Sequence, residues 1–268
     1  MERPSWSPET VDIDQPSQAR IYDYYLGGSH NFSIDREMAR RFFEVMPDIA
    51  VQAQANRAFL HRAVRYLLDA GIRQFLDIGS GIPTVGNVHE VALRYAPDAR
   101  VVYVDLDPVA VAHSRQILDD ATGAVAIQED LRRPDAILAH PELRGLLDFR
   151  QPIGLLLLAI LHTIPDEDDP ARIVARLRDG LPSGSYLAVS HPTDESMPEL
   201  WVRLVELSRK TPIAITPRSR AEVEAFFAGF ELVPPGLVWG PEWHPESPED
   251  VGDDPGRSMN YVGVGRKP

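Results

Sequence analysis

An aspartate and two glycines follow a short apolar run in QFLDIGSGIPT, residues 74 to 84. Glycine has no Cβ and readily adopts positive φ, so Gly79 and Gly81 let the backbone turn sharply and pass close to a ligand. A carboxylate at Asp77 would repel a pyrophosphate held by that turn, whereas it would attract a cation. The spacing indicates a nucleotide-type site for a ligand with a positive centre. A tight turn that holds no ligand stays open as the alternative.

Two further acidic residues end the next two strand-like runs. Asp105 closes RVVYVD and Asp130 follows AVAIQ, each about one helix and one strand after the acid before it. The carboxyl ends of parallel strands meet at one edge of a sheet, where ligands bind. We predict that Asp105 accepts hydrogen bonds from ribose hydroxyls, and that Asp130 and the backbone of Leu131 contact the amine of an adenine. Simple pairing of Asp130 with Arg132 or Arg133 stays open.

Three strand-end carboxylates suit a ligand that combines a ribose, an exocyclic amine and a positive centre, and S-adenosylmethionine has all three. Four motifs resemble those of class I, Rossmann-like S-adenosylmethionine-dependent methyltransferases: DIGSG at 77–81, VDLDP at 104–108, QEDL at 128–131 and LLLLAILHTIPD at 155–166. ARIYDYYLGGSHNFSIDRE at 19–37 and SGIPTVGNVHE at 80–90 are similar to an actinobacterial S-adenosyl methyltransferase family. The resemblance, which covers about residues 17–266, implies a Rossmann-like fold, this cofactor and methyl transfer.

Two rival functions remain at this stage. A nicotinamide-dependent oxidoreductase would need a glycine at Thr84 to complete Gly-x-Gly-x-x-Gly, and Asp77 and Asp130 oppose its pyrophosphate. The methyltransferase pattern Gly-x-Gly-x-Gly has Pro83 in its third place, which leaves the geometry of the loop open. The second rival is a regulatory or interaction protein that binds the cofactor without turnover.

A segment rich in tyrosine precedes the first strand: RIYDYYLGGSHN, residues 20–31. The pair Gly27 and Gly28 would end its helix and free the backbone to fold over a ligand. We predict that this segment is a lid that contacts the cofactor through Tyr24, Gly28 and Asn31. Ordinary core packing of its tyrosines is the alternative.

Ser80 and Leu106 complete the predicted cofactor-binding set. His162 follows the longest apolar run, at the mouth of the fourth strand where such sheets bind ligands; cofactor contact and a buried structural role both stay open. Four side chains are candidates for a general base, which is needed only if the acceptor must lose a proton: Tyr24, His30, His162 and His191. No set of His, Asp and Glu has metal-ligand spacing, so no metal is expected.

Apolar runs near residues 74, 101, 124, 153, 185, 230 and 259 are separated by helical patterns, except before the last. They predict an α/β, doubly wound, mostly parallel sheet of seven strands with helices on both faces and the last strand antiparallel. A single methyltransferase domain is expected, with a flexible tail at 1–18, a helical lid at 19–70 and a Rossmann-like core at 71–268. The stretch 239–258 lacks periodicity; it is either disordered or shapes the substrate pocket through Trp239, Trp243 and His244.

Composition narrows the class of protein. The chain has 268 residues, no cysteine and a formal net charge of −13. The absence of cysteine excludes disulfide scaffolds and thiolate nucleophiles and suits a reducing compartment. No apolar run is long enough for a membrane span, and no apolar leader is seen, so we expect a cytoplasmic protein that does not enter a membrane. The negative charge argues against nucleic acid, which leaves a small molecule as the expected methyl acceptor.

Overall fold

A central sheet organises the protein. The computed structural model describes residues 12–82, 86–118, 123–209, 211, 213 and 215–268. The strands in this part are β1 Gln74–Ile78, β2 Arg100–Asp105, β3 Ala124–Gln128, β4 Gly154–Leu158, β5 Tyr186–Pro192, β6 Glu231–Leu232, β7 Val238–Trp239 and β8 Asn260–Arg266. Their order across the sheet is β3-β2-β1-β4-β5-β8-β6, and β7 also pairs with β8.

The strand directions confirm the predicted fold class. Strands β1 to β5 pair in parallel, and β8 runs antiparallel to β5. Both β6 and β7 pair antiparallel with β8, so β8 alone among the described strands is reversed. Strand β7 is an eighth strand beyond the seven predicted. Its two residues are too few to produce an alternating pattern in the sequence.

Helices cover both faces of the sheet. They are α1 Gln18–Tyr25, α2 Ser33–Val45, α3 Ile49–Asp69, α4 Val88–Tyr95, α5 Pro108–Ile117, α6 Pro134–Ala139, α7 Pro141–Leu146, α8 Pro170–Asp179, α9 Pro198–Ser208 and α10 Arg220–Ala225. Leu156 and Leu158 of β4 pack in one apolar cluster with α3 and α4, whereas Leu155 and Leu157 pack in another with α6 and α8. Coverage on both faces explains why β4 reads as an unbroken apolar run. None of the helices in the described part is both long and apolar enough to cross a membrane.

The junction between β2 and α5 follows the expected cap chemistry. The Asp107 carboxylate accepts a hydrogen bond from the backbone N–H of Val109 at 2.7 Å, and Pro108 occupies the first helical position. Proline is tolerated there because that N–H would have no partner within the helix. Asp107 is therefore the N-cap of α5, at the end of the strand that carries Asp105.

The N-terminal helices form a third layer with α9. Ile21 of α1, Phe42 of α2, Ile49 of α3 and Trp201 and Leu204 of α9 belong to one buried apolar cluster. Residues 1–11 of the predicted tail lie outside the described residues. Gln18, the last residue of that tail, is the first residue of α1. The prediction that 19–70 acts as a lid stays a prediction.

The stretch 239–258 closes the core on another side of the molecule. The Trp243 side chain is fully buried, and its ring meets that of Phe59 edge-on with centroids 5.2 Å apart. Trp239 stacks on Tyr261 at 4.2 Å. The stretch is ordered into short turns, and its aromatic residues serve packing, which neither of the two sequence interpretations anticipated.

Candidate functional site

A cavity of about 700 Å³ lies at the carboxyl ends of β1 to β4, beneath the N-terminal helices. Cavities of about 300–1,000 Å³ are typical of small-molecule sites. Most of the predicted cofactor-binding residues line it: Asp77, Gly79, Ser80, Gly81, Asp105, Leu106, Asp130, Leu131 and His162. The parallel register produces this convergence, since Ile78 pairs with Val104 and Asp105 pairs with Gln128.

The turn after β1 needs both of its glycines. Gly79 has φ of 77°, and a Cβ at this position would overlap the side chain of Ile160. Gly81 has φ of 67°, and a Cβ there would meet open space. L-residues with a side chain rarely adopt these angles, so glycine is required at both positions. The open space at Gly81 leaves room for a ligand to lie against the backbone.

The amides of this turn are directed at β2. The N–H groups of Gly79 and Ser80 donate to the carbonyl of Val104 at 2.8 and 3.3 Å, and the N–H of Gly81 donates to the Asp105 carboxylate at 2.7 Å. A pyrophosphate site would instead present such amides to the ligand. The arrangement therefore disfavours the dinucleotide interpretation. Pro83 and Thr84, on which the glycine patterns differ, lie outside the described residues.

Asp77 is a buried acid on the cavity wall. It is 5% exposed and its carboxylate makes no hydrogen bond within the described part of the chain. Burial raises the pKa of this carboxyl to about 7; the charge of Arg57 opposes the rise and that of Asp105 adds to it. A cation beside Asp77 would stabilise its ionised form.

Asp105 supports the turn and faces the cavity. One carboxylate oxygen accepts from the N–H of Asp107 at 2.8 Å, and the other accepts from the N–H of Gly81 at 2.7 Å. Burial raises the pKa of this carboxyl to about 6, although these backbone donors oppose the rise. Each carboxylate oxygen has a second lone pair, so Asp105 can still accept from a ligand hydroxyl.

An exposed apolar side chain and an acid lie at the ends of β2 and β3. The Leu106 side chain is 56% exposed, although it lines the cavity. Asp130 pairs with the Arg132 guanidinium at 2.6 and 2.9 Å, as one of the two sequence interpretations proposed. Because Asp130 and Leu131 also line the cavity, the ion pair leaves the ligand-binding interpretation intact.

His162 lies on the cavity wall in a polar contact with α1. Its Nε2 is 2.7 Å from Nε2 of Gln18, and its buried Nδ1 has no partner within the described part of the chain. Burial and, to a smaller extent, the charge of Arg218 lower the pKa of this imidazole to about 4. His162 is therefore neutral at physiological pH.

The other predicted side chains lie outside the cavity lining. His191 is fully buried: its Nε2 accepts from Arg218 at 3.0 Å and its Nδ1 donates to the carbonyl of Pro192 at 2.8 Å. With both ring nitrogens used, His191 has a structural role. Tyr24 packs in the N-terminal apolar cluster. Asn31 is held by the Asp23 carboxylate at 2.8 Å.

Gly28 and His30 line a different cavity. It lies on the other side of the segment 23–30 and has a volume of about 710 Å³. Within the segment 20–31, the residues that line the main cavity are Ile21, Tyr22 and Tyr25, and not the predicted Tyr24, Gly28 and Asn31. Tyr22 and Tyr25 are three positions apart in α1 and share the face that lines the cavity, whereas Tyr24 lies on another face.

Several lining residues were missed by sequence reasoning. The Tyr22 hydroxyl accepts from the Asn56 amide at 2.9 Å, and Asn56 in turn accepts from the Ser190 hydroxyl, which joins α1 and α3 to β5. Arg57 lies one position further along α3, at the cavity wall. Ala159 has φ of 49°, an unusual angle for a residue with a side chain. Only the apolar run before Ala159 offered a signal; the helical residues depend on which face of α3 meets the sheet.

Comparisons with known proteins agree with this geometry. A family model described as S-adenosyl methyltransferase matches residues 4–268. The crystal structure of a DUF574-family protein from Streptomyces avermitilis is 42% identical, with a TM-score of 0.91 over 96% of this chain and 100% of that one. A candidate methyltransferase from Thermobifida fusca is 39% identical, with a TM-score of 0.92 over 98% of this chain and 99% of that one.

A more distant similarity concerns the fold alone. Human N-acetylserotonin methyltransferase, crystallised with S-adenosylmethionine, is 14% identical, with a TM-score of 0.51 over 95% of this chain and 63% of that one. The chain matches none of the curated proteins.

Proposed function

The chain belongs to the S-adenosyl methyltransferase family and transfers methyl groups from S-adenosylmethionine, and we propose that its main cavity holds this cofactor across the carboxyl ends of β1 to β3 beside a small-molecule acceptor. The volume of about 700 Å³ supports an acceptor of small size. The acids that line the cavity oppose a nucleic-acid backbone. A cytoplasmic location is also proposed, on the absence of cysteine.

The chemistry of the cavity wall fits a cationic nucleoside. Asp77 offers a buried carboxylate without a hydrogen-bond partner among the described residues; burial raises its pKa to about 7, and a cation beside it would favour its ionised form. Gly81 leaves open space against the backbone of the turn. We assign Asp77, Gly79, Ser80 and Gly81 to the methionine portion of the cofactor.

The remaining groups suit the ribose and the base. Asp105 has free lone pairs for ribose hydroxyls. The exposed side chain of Leu106 offers an apolar face on which adenine would pack, and Asp130 offers an acceptor for its amine beside the backbone of Leu131. Three strand ends thus supply three different contacts.

When bound, the cofactor supplies an electrophilic methyl carbon, and the electron pair of the breaking C–S bond stays on sulfur. The residues of this chain contribute alignment and the exclusion of water by the N-terminal helices. Of the four candidates for a general base, only His162 lines the cavity. The amide nitrogen of Gln18 faces its Nε2, which leaves the ring proton on Nδ1. This Nδ1 is sealed from the cavity, so Nε2 is the ring nitrogen that could face a ligand, once Gln18 moves aside.

One arrangement carries the proposal. The amides of the turn donate to acceptors at the end of β2, while the buried carboxylate of Asp77, which has no hydrogen-bond partner among the described residues, faces the cavity. Calorimetry with S-adenosylmethionine, S-adenosylhomocysteine and NAD tests it. We expect binding of the first two and not of NAD. At 100 times its dissociation constant, either ligand should stabilise the fold by about 2.7 kcal/mol. Binding of NAD, or no binding of either sulfur ligand to the folded protein, would contradict the assignment.

A further inference from the structure

The main cavity has two parts with different chemistry. The charged residues of its lining lie at the carboxyl ends of β1 and β2, on the loops after β2 to β4 and on the middle of α3, and they are Arg57, Asp77, Asp105, Asp107, Glu129, Asp130, Arg132 and Asp168. The part formed by α1, α2, the start of α3 and α9 has no charged residue among those that the structure describes. We call this second part the uncharged chamber.

Apolar and aromatic side chains dominate the uncharged chamber. Phe42, Ile49, Trp201, Leu204 and Ile213 line it and pack in one buried cluster. Each is at most 8% exposed. A concave surface of this composition binds an apolar molecule by removing it and the wall from water.

Most polar groups of the chamber already have partners. Gln52 donates to Asn260 at 3.1 Å. Tyr22 donates to the carbonyl of Ala53 at 3.1 Å. These groups make the wall partly polar, but a ligand does not have to supply hydrogen bonds to them.

Two polar groups in the chamber are exceptions. The indole N–H of Trp201 and the hydroxyl of Tyr25 are buried and have no hydrogen-bond partner in the described part of the chain. Both residues line the cavity, but these two polar atoms are sealed from it, so the two side chains present carbon atoms to a ligand. Burial also raises the pKa of Tyr25 far above its ordinary value, so its hydroxyl stays uncharged.

We infer that the uncharged chamber binds the methyl acceptor, and that this acceptor is an uncharged aromatic small molecule that packs on the apolar and aromatic wall. The inference rests on the proposed function, because it takes the charged part of the cavity as the place of the cofactor.

Charge decides against the other acceptor classes. Six of the eight charged lining residues are acids, so a phosphate or carboxylate would be repelled from the adjoining part. A cationic amine inside the chamber would lose its hydration without gaining a carboxylate. An uncharged ring system meets neither obstacle.

The test uses the protein saturated with S-adenosylhomocysteine and three two-ring probes at pH 8: quinoline, naphthalene and 2-naphthoate. Equilibrium dialysis measures their affinities. We expect quinoline and naphthalene to bind within about fivefold of each other, because neither carries a charge that must be desolvated at pH 8. We expect 2-naphthoate to bind at least about tenfold more weakly than quinoline, because its charge must be desolvated.

Variants assign the binding to the chamber. Trp201→Phe removes part of the aromatic wall and should weaken quinoline and naphthalene by about threefold each. Trp239→Phe is the matched control, since Trp239 lies outside the cavity, and it should change neither affinity. Ala53→Phe should fill the chamber and abolish probe binding, whereas Ala58→Phe, on the exposed side of the same helix, should not.

Affinity for S-adenosylhomocysteine separates a failure of the chamber inference from a failure of the proposed function. If S-adenosylhomocysteine binds the wild type and Ala53→Phe equally well, but probe affinity changes in neither Ala53→Phe nor Trp201→Phe, the chamber is not the acceptor site. Tighter binding of 2-naphthoate than of quinoline would also overturn the inference. If S-adenosylhomocysteine fails to bind the wild type, the proposed function fails and this inference with it. Should Ala53→Phe not fold, the comparison of Trp201→Phe with Trp239→Phe decides.

Discussion

The guanidinium of Arg20 donates to the Asp107 carboxylate at 2.9 Å and joins the first helix of the chain to the N-cap of α5. Arg20 also donates to Asp35 of α2 at 2.9 Å, and it is 3% exposed. This buried cation therefore links the N-terminal helices α1 and α2, which cover the cavity and which we call its roof, to the strand end that carries Asp105. If α1 moved away, the carboxylates of Asp35 and Asp107 would lose the cation that pairs with them.

Removal of Arg20 should unfold the roof more readily than the sheet. Arg20→Met leaves Asp35, which is fully buried, without its cation, and breaking one side of a buried ion pair typically costs about 3–5 kcal/mol. We expect a loss of this size in the free energy of unfolding, measured by urea denaturation. Arg41→Met is the control, because its pair with Glu37 is more than half exposed and should matter by about 1 kcal/mol or less. Equal effects of the two changes would show that the buried pair does not anchor the roof.

Cofactor binding should slow amide exchange in the roof. One face of α1 lines the cavity through Gln18, Ala19, Ile21, Tyr22 and Tyr25, so a ligand beneath it adds contacts that local opening must break. We expect protection of the amides at 21–27 to rise on addition of S-adenosylhomocysteine, as measured by hydrogen exchange. The amides of β1 should be protected in both states and serve as the reference. Strong, ligand-independent protection of α1 would mean that it is ordinary core, with no role as a lid.

Asp105 should matter more for affinity than for folding. Asp105→Ala removes a charged acceptor for ribose hydroxyls, and the loss of such charge-assisted bonds is expected to weaken affinity for S-adenosylhomocysteine by roughly 2 to 3 kcal/mol. The variant should still fold without ligand, with a melting temperature lowered only as far as the loss of an acceptor for the N–H groups of Gly81 and Asp107 requires. Calorimetry measures the affinity. Asp98→Ala, where the side chain is 75% exposed before β2, is the matched control. An Asp105 variant with wild-type affinity would place the ribose elsewhere.

Affinity should also rise with pH because of Asp77. Its folded pKa, about 7, is above the ordinary value, so this group stabilises the ligand-free fold below pH 4 and that contribution is lost as the pH rises through 7. A cationic ligand reverses the preference, because it binds the ionised carboxylate. We therefore expect S-adenosylhomocysteine, through its ammonium group, to bind about tenfold more tightly at pH 7.5 than at pH 6, with proton release. Asp77→Asn should flatten this dependence, and any residual slope then reports Asp105, whose pKa is about 6. Equal wild-type affinities at the two pH values would remove Asp77 from the ligand site.

The order of apolar runs and the acids that end them were enough to predict the sheet and one side of the cavity. A strand can be recognised in the sequence from a few consecutive apolar residues. Parallel strands place their carboxyl ends at one edge of the sheet whatever the details of side-chain packing. Asp77, Asp105 and Asp130 meet there for that reason. The glycine turn is likewise local, because positive φ at Gly79 and Gly81 is a property of the residues themselves.

Only the tertiary structure decided the roof, the chamber and the roles of the histidines. Trp201 reaches the cavity because α9 packs against α1 and α2, and His191 is withdrawn from it because Arg218 occupies its ring nitrogen. An amphipathic pattern shows that a helix has a buried face, but several neighbours could cover that face. Which one does depends on side-chain shape and charge between segments far apart in the chain, and those contacts exist only once the chain has folded.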